Sequence, residues 1–249
     1  MRQSRSTSRA KQPRRELLRI DGRRVAVTMR LNPRATRLIV KVHPSTGEVS
    51  VVAPSRRALD SAMDFARSES NWIARRLAHV PEPVDLEPGA LIPFRGEQHA
   101  IHAAARGPAP VWIDRAARVI RVSGHSEHAP RRLLDFLKRE AKRVLESRVL
   151  EFSGRIGVEP KRVTVRDTAS RWGSCSTTRT LSFSWRLIFA PAFVLDYVVA
   201  HEVAHLRHMN HGTRFWNLVS ELIGDVEKPQ AWLSENGPLL HSYAPRSVQ

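Results

Sequence analysis

The sequence predicts an α+β fold on three observations. Apolar residues alternate at period two in several short runs, turn chemistry separates those runs into pairs, and four longer segments carry apolar residues at helical spacing. Val25, Val27, Met29 and Leu31 alternate with polar or small residues, as a half-buried strand requires. The run 38–42 is β-branched and apolar, Pro44-Ser45-Thr46-Gly47 is turn chemistry, and 49–52 resumes the strand pattern, so the two runs form a hairpin. After Pro54, the spacing of Leu59, Met63, Ala66, Ile73 and Leu77 predicts one long helix. The Pro-rich stretch 81–93 is a connector, and 111–113 with 119–122 around Asp114-Arg115 forms a second hairpin. Leu133, Leu134, Leu137, Ala141, Val144, Leu145 and Phe152 make 131–155 a core-facing helix with charges on its other side. Val163 and Val165 start a strand, and 177–180 separates 172–176 from 181–189 as a hairpin loop does. Apolar helices follow over 192–209 and 213–223, and no internal repeat is evident.

The 249 residues are enough for one large domain or two small ones. With 41% apolar and 26% charged residues, the chain has ordinary globular usage, which excludes a fibrous or wholly disordered protein. The single cysteine, Cys175, excludes an internal disulfide framework or a multi-cysteine zinc knuckle and points to a reducing, cytoplasmic setting. No apolar run approaches the length of a membrane span, so no membrane partner is expected. Forty-one basic against 24 acidic residues leave a net charge of +17, which favours anionic partners without naming one. Residues 1–19, rich in Arg and poor in acids and apolar residues, read as a disordered basic tail able to bind nucleic acid weakly. A β-rich region with one long helix is expected over 20–130, a third region over 131–240 and a C-terminal tail over 241–249.

The chemistry sits in AFVLDYVVAHEVAHLRHM, an apolar helix containing His201, Glu202 and His205. Positions i and i+4 share one helix face, so both imidazoles can address one metal ion while Glu202 sits beside it. Random placement gives about 0.03 such H-E-x-x-H patterns in a chain of this composition. Three polar groups inside so apolar a helix need partners or a metal. Zinc suits two or three histidines with one position left for water. His211 stands at the offset of the third histidine in H-E-x-x-H-x-x-G-x-x-H. The glycine of that pattern is His208 here, so Asn210 and Gly212 are expected to make the turn. Glu221, His208 and Cys175 are the alternative ligands. His99, His102, His125 and His128 lack the spacing and are read as surface residues.

RWGSC at 171–175, SWRLIFAP at 184–191, VVAHEVAHL and NHGTRFW together resemble the YgjP-type metal-dependent hydrolase family, related to SprT-like and other zincin metallopeptidases. The upstream hairpins, Asn71-Trp72-Ile73 and IPFRG at 92–96 fit the same family, so nearly everything after the tail is covered. The resemblance implies a zincin-like helical metal site packed on antiparallel hairpins, with one zinc ion on His201, His205 and His211 and Glu202 as catalytic acid/base. Gly212 replaces the serine usual in that family and removes a side-chain cap from the following helix. Arg171, Trp172, Gly173, Ser174 and Arg214 are the candidate substrate-binding residues, with Trp172 equally readable as a core aromatic.

A zinc-dependent peptidase is the leading expectation. Arg171, Arg186 and Arg214 near the motif also match phosphate, which makes a nucleoside triphosphate such as UTP the second substrate class. A third expectation is a nucleic-acid-associated protein or DNA-guided protease that binds through the basic tail and helix 131–155.

Overall fold

Strands β1 (Arg14–Ile20) and β2 (Arg23–Leu31) meet at Asp21 and Gly22, whose φ angles of 46° and 78° make the tight left-handed turn of a hairpin. The computed structural model describes residues 14–43, 46–168 and 171–244. The chain divides into two units, Met1–Pro81 and Glu82–Gln249.

In the first unit β3 (Ile39–Val42) and β4 (Val49–Ala53) form the expected antiparallel hairpin, and β4 lies parallel to β2, giving the order β1-β2-β4-β3. Leu18, Ile20, Val27, Met29, Val49 and Val51 on one face of this sheet pack with Ala62, Met63, Ala66 and Ile73 in a core of their own. Those last four residues lie on α2 (Ala62–Ser68) and α3 (Ser70–Ala78), which follow the single turn α1 (Arg56–Asp60) capped by the Ser55 hydroxyl. The expected long helix is thus three short ones. Ser61 and Glu69 leave helical geometry, with ψ near 0° and 11°, and the Ser68 hydroxyl bonds the Phe65 carbonyl in competition with the backbone ladder.

The second unit begins with β5 (Val84–Asp85) and repeats the arrangement of the first. Strands β6 (Leu91–Phe94), β7 (Glu97–Ala104), β8 (Val111–Asp114) and β9 (Val119–Ser123) lie in the order β6-β7-β9-β8, with the same antiparallel, parallel, antiparallel pairings. The long helix α4 (Ala129–Ile156) follows, opened by Pro130 and ended by Gly157 at φ 66°. Its buried residues Leu133, Phe136, Leu137 and Leu145 share one core with Ile92, Phe94, Ile101, Ile120 and Val122. A small sheet then forms from β10 (Arg162–Arg166), β11 (Gly173–Cys175) and β12 (Thr180–Ser184), with β12 central, antiparallel to β11 and parallel to β10. A 3-10 segment Trp185–Phe189 leads to α5 (Ala192–Ala204), α6 (Thr213–Ile223), α7 (Glu227–Ser242) and β13 (Tyr243–Ala244), which pairs with β5. No helix among the described residues is long and apolar enough to cross a membrane.

Several expectations change. Residues 1–13 of the expected tail lie outside the described residues, while the remainder belongs to β1, whose outward arginines masked its period of two. The division of the chain falls at 81, not 130, because the strands of 91–123 share one core with α4. Residues 241–244 continue α7 and form β13. The internal repeat is one of topology, carried by unlike sequences. His99 is 4% exposed, because β7 turns it inward with Ile101, and its Nδ1 lies 2.8 Å from the Glu97 carbonyl.

The β6–β7 turn anchors the approach to α5. Arg95 and Gly96 donate their backbone N–H groups to the Ile188 and Phe189 carbonyls at 2.7 and 3.1 Å. Gly96 has φ 84°, and a Cβ there would stand 2.8 Å from Pro191 Cα. Gly96→Ala is expected to cost about 3 kcal/mol by strain and collision together, read as a lower midpoint in chemical denaturation.

Candidate metal centre

Helix α5 is apolar on every side and packs against α4, α6, α7 and β11, so the polar groups of its last turns face a closed interior. His201 and Glu202 stand in the last turn of the helix, and His205, at φ −64° and ψ −18°, caps it. The i, i+4 spacing brings the rings of His201 and His205 to a centroid distance of 5.0 Å. His211, from the link to α6, completes the group at 5.0 Å from His201 and 4.7 Å from His205. The Nε2 atoms of His201 and His211 are 3.1 Å apart. One ligand atom from each of the three histidines lies within 4.8 Å of the others.

The donor set fits a metal ion. Burial, then the neighbouring His205 and His211, push His201 down to about 4, and burial also lowers His205, so these rings are neutral with lone pairs available. His205 Nδ1 lies 3.0 Å from the His208 carbonyl oxygen, which places its proton on Nδ1 and leaves Nε2 to coordinate. His201 Nδ1 is buried with no hydrogen-bond partner among the described residues. Its ring is held instead by aromatic neighbours: Phe215 at 4.9 Å, Trp216 at 5.8 Å and Tyr197 at 5.9 Å. Fully buried Phe215 touches all three imidazoles, with centroids at 4.6–4.9 Å. Tyr197, whose hydroxyl accepts from Gln230 at 2.9 Å, was not among the expected site residues, although it stands one turn before His201.

Glu202 is 6% exposed, and burial raises its carboxyl to about 7 against the pull of Arg171. Strand β11 runs directly over it: a Cβ on Gly173 would lie 2.6 Å from Glu202 Cγ and Oε1. The bonds Ser184 N–H to Trp172 O (2.9 Å) and Ser176 N–H to Thr180 O (3.0 Å) turn alternate residues of β11 toward β12. The backbone groups of Gly173 and Cys175 therefore point to the other edge, where no strand stands among the described residues.

The other expected residues separate into groups. Arg171 is exposed, and its charge reaches Glu202. Arg214 is exposed in the first turn of α6, and Ser174 is half-buried on β11. Trp172 packs on α7, 4.7 Å from His241 and against Gly237, which is the core role. Arg186 is 8% exposed and bound to Asp167. Cys175, Glu221 and His208 contribute no atom to the histidine group. Burial and the charge of Glu202 push the Cys175 thiol up to about 11. The turn after α5 differs from expectation: neither Asn210 nor Gly212 is left-handed, and Gly212, at φ −81°, starts α6 without a side-chain cap. The chain reverses through tight bonds from Leu206 N–H to Val203 O and Arg207 N–H to Ala204 O, while the Arg207 guanidinium holds the Ile156 carbonyl.

No curated protein matches the chain. Two solved structures resemble part of it. The metallopeptidase zymogen of Pyrococcus abyssi abylysin is 16% identical, covering 36% of this chain and 93% of its own, with a TM-score of 0.34. The metallopeptidase zymogen of Methanocaldococcus jannaschii jannalysin is 21% identical, covering 38% and 96%, with a TM-score of 0.33. The model of the YgjP-like metallopeptidase domain matches residues 36–236, most of the chain and every residue of the histidine group, and the protein therefore belongs to the YgjP-like metallopeptidase family.

Proposed function

We propose that this protein is a zinc-dependent peptidase with Glu202 as general base, and that His201, His205 and His211 hold one ion. The observation that carries the reading is the convergence of three imidazole nitrogens within 4.8 Å beside a buried carboxyl. A donor set of three imidazoles suits zinc, which when bound supplies Lewis acidity to polarise a carbonyl and acidify water. The chain's own part is to hold the ion, place the substrate and move one proton. Glu202 accepts the proton that water gives up on attack and returns it to the amine nitrogen as the peptide bond breaks. Its burial, which raises the carboxyl, favours its holding that proton between the two transfers. An extended peptide laid along β11 pairs with the outward backbone groups of Gly173 and Cys175, which sets its scissile carbonyl near Glu202. Gly173 admits this close packing because it has no side chain.

The phosphoanhydride reading has lost one of its three arginines, since Arg186 is buried and engaged with Asp167. Casein and UTP separate the two. Release of peptides from casein without pyrophosphate from UTP is the expected result, and pyrophosphate without peptides overturns the peptidase assignment.

Three sets of variants test the roles. His201→Ala is expected to lose zinc by metal analysis, whereas Glu202→Gln keeps it and loses turnover by about 10²–10⁴-fold; stoichiometric zinc in His201→Ala overturns the ligand assignment. Gly173→Ala displaces the Glu202 side chain, so turnover falls by about tenfold or more while zinc content stays constant. Trp216→Ala removes an aromatic support of His201 and His211, and a chelator titration is expected to show zinc held about tenfold more weakly.

A further inference from the structure

The two copies of the four-stranded arrangement differ in what their outer faces carry. In the first, Leu18, Ile20, Val27, Met29, Val49 and Val51 face the helices. The alternate residues therefore form the outer face, which carries five cations, Arg15 and Arg19 on β1, Arg24 and Arg30 on β2 and Lys41 on β3, around the apolar Leu17 and Ile39 and the buried Thr28. Arg30 pairs with Glu48 at 3.0 Å, and Asp21 sits in the turn at the margin. Among the described residues, no acid forms an ion pair with Arg15, Arg19, Arg24 or Lys41.

The second copy is an internal control. Matching the strand registers sets the pair Arg19–Arg24 against Pro93–Gln98, Leu17–Ala26 against Leu91–Ala100, and Lys41–Ser50 against Trp112–Arg121. The matched apolar positions keep their character, while the cations of the first copy are replaced. Arg121, the cation on the second face, has Asp114 at 3.7 Å. The architecture therefore does not need these charges. Arg19 and Arg24 stand directly opposite each other, a like-charge pair that weakens the hairpin. The same asymmetry holds along the sequence: residues 1–81 contain 18 of the 41 basic residues but 6 of the 24 acidic ones. Arg15, Arg19, Arg24 and Arg30 all precede residue 36, where the family match begins.

We propose that the outer face of the β1-β2-β4-β3 sheet binds single-stranded nucleic acid through its phosphates. Guanidinium forks match phosphate oxygens. Leu17 and Ile39, 64% and 36% exposed, lie on this face and offer apolar contact to bases that are unstacked, which a duplex keeps inside. No aromatic side chain stands on these four strands, so affinity rests on the phosphates, whose contacts carry no sequence information, and binding is independent of base identity. This assigns the role to the sheet and not to α4, where Arg131, Arg143 and Lys142 pair with Asp135, Glu140 and Glu146 and Arg155 is held by the Leu222 and Glu221 carbonyls, so that Arg139 is left as the exposed cation without an acid among the described residues. It stands independently of the metal centre.

The test is fluorescence anisotropy of a labelled oligothymidylate with the full-length protein between about 50 and 200 mM salt. Arg15→Gln, Arg19→Gln, Arg24→Gln, Arg30→Gln and Lys41→Gln combined are expected to weaken binding by at least about tenfold and to reduce the log–log salt slope by about 3. A variant of α4 with the same charge change (R131Q, K138Q, R139Q, K142Q, R143Q) is expected to lose less than about threefold. Equal losses in the two variants, no binding by the native chain, equal affinity for a duplex, or tighter binding to phosphatidylserine vesicles overturns the proposal. The double variant Arg19→Gln, Arg24→Gln guards against misfolding. It is expected to melt about 2 °C higher, through relief of the like-charge pair, while binding more weakly. A lower melting temperature, or unchanged binding in that variant, overturns it.

Discussion

Everything at the metal centre depends on the burial of α5 beyond its first turn. A helix that presents Val194, Leu195, Val198, Val199, Val203 and Ala204 in every direction must be enclosed, and the enclosure comes from α4, α6, α7 and the small sheet. Polar groups at the end of such a helix cannot be satisfied by bulk water. Three imidazoles turned toward one another and a carboxyl under a strand are how this chain resolves that constraint. The resolution is aromatic as much as polar: among the described residues nothing bonds His201 Nδ1, and Phe215 lies against all three rings.

The rest of the second unit positions this helix. Its N-terminal approach is tied by the Arg95-Gly96 turn, which bonds the carbonyls of Ile188 and Phe189 and leaves no room for a side chain at 96. Its C-terminal exit is tied by Arg207 on the Ile156 carbonyl at the end of α4. The two ends of a nearly all-apolar helix are thereby tied to two other segments, by backbone N–H groups of the β6–β7 turn at the approach and by the Ile156 carbonyl at the exit. The repeated four-stranded arrangement gives the same scaffold two uses: one copy braces the metal centre, and the other presents arginines on its outer face.

The hairpins at 38–52, 111–122 and 172–184 were legible because strand periodicity and turn residues are local properties. The grouping of His201 with His205 was legible for the same reason, since helix geometry alone sets it. His211 came from an offset in a longer pattern, although the turn that delivers it uses neither Asn210 nor Gly212 in a left-handed conformation. Other features were hidden. The broken helix 56–78, the inward His99 and the packing of Trp172 on α7 each depend on neighbours distant in sequence. The repeat was hidden because burial conserves only the pattern of facing, and two unlike sequences satisfy the same pattern.

By itself, the sequence determined the elements whose reasons are short-range: which runs extend, which coil, where a zinc-binding spacing lies on a helix, and that the chain is strongly basic. Tertiary structure alone decided that Gly173 lies over Glu202, that Phe215 backs all three histidines, and that five cations share one face of a sheet. The physical reason is that periodicity fixes the direction of a side chain relative to its own strand or helix, whereas its neighbours are chosen by which apolar faces bury one another.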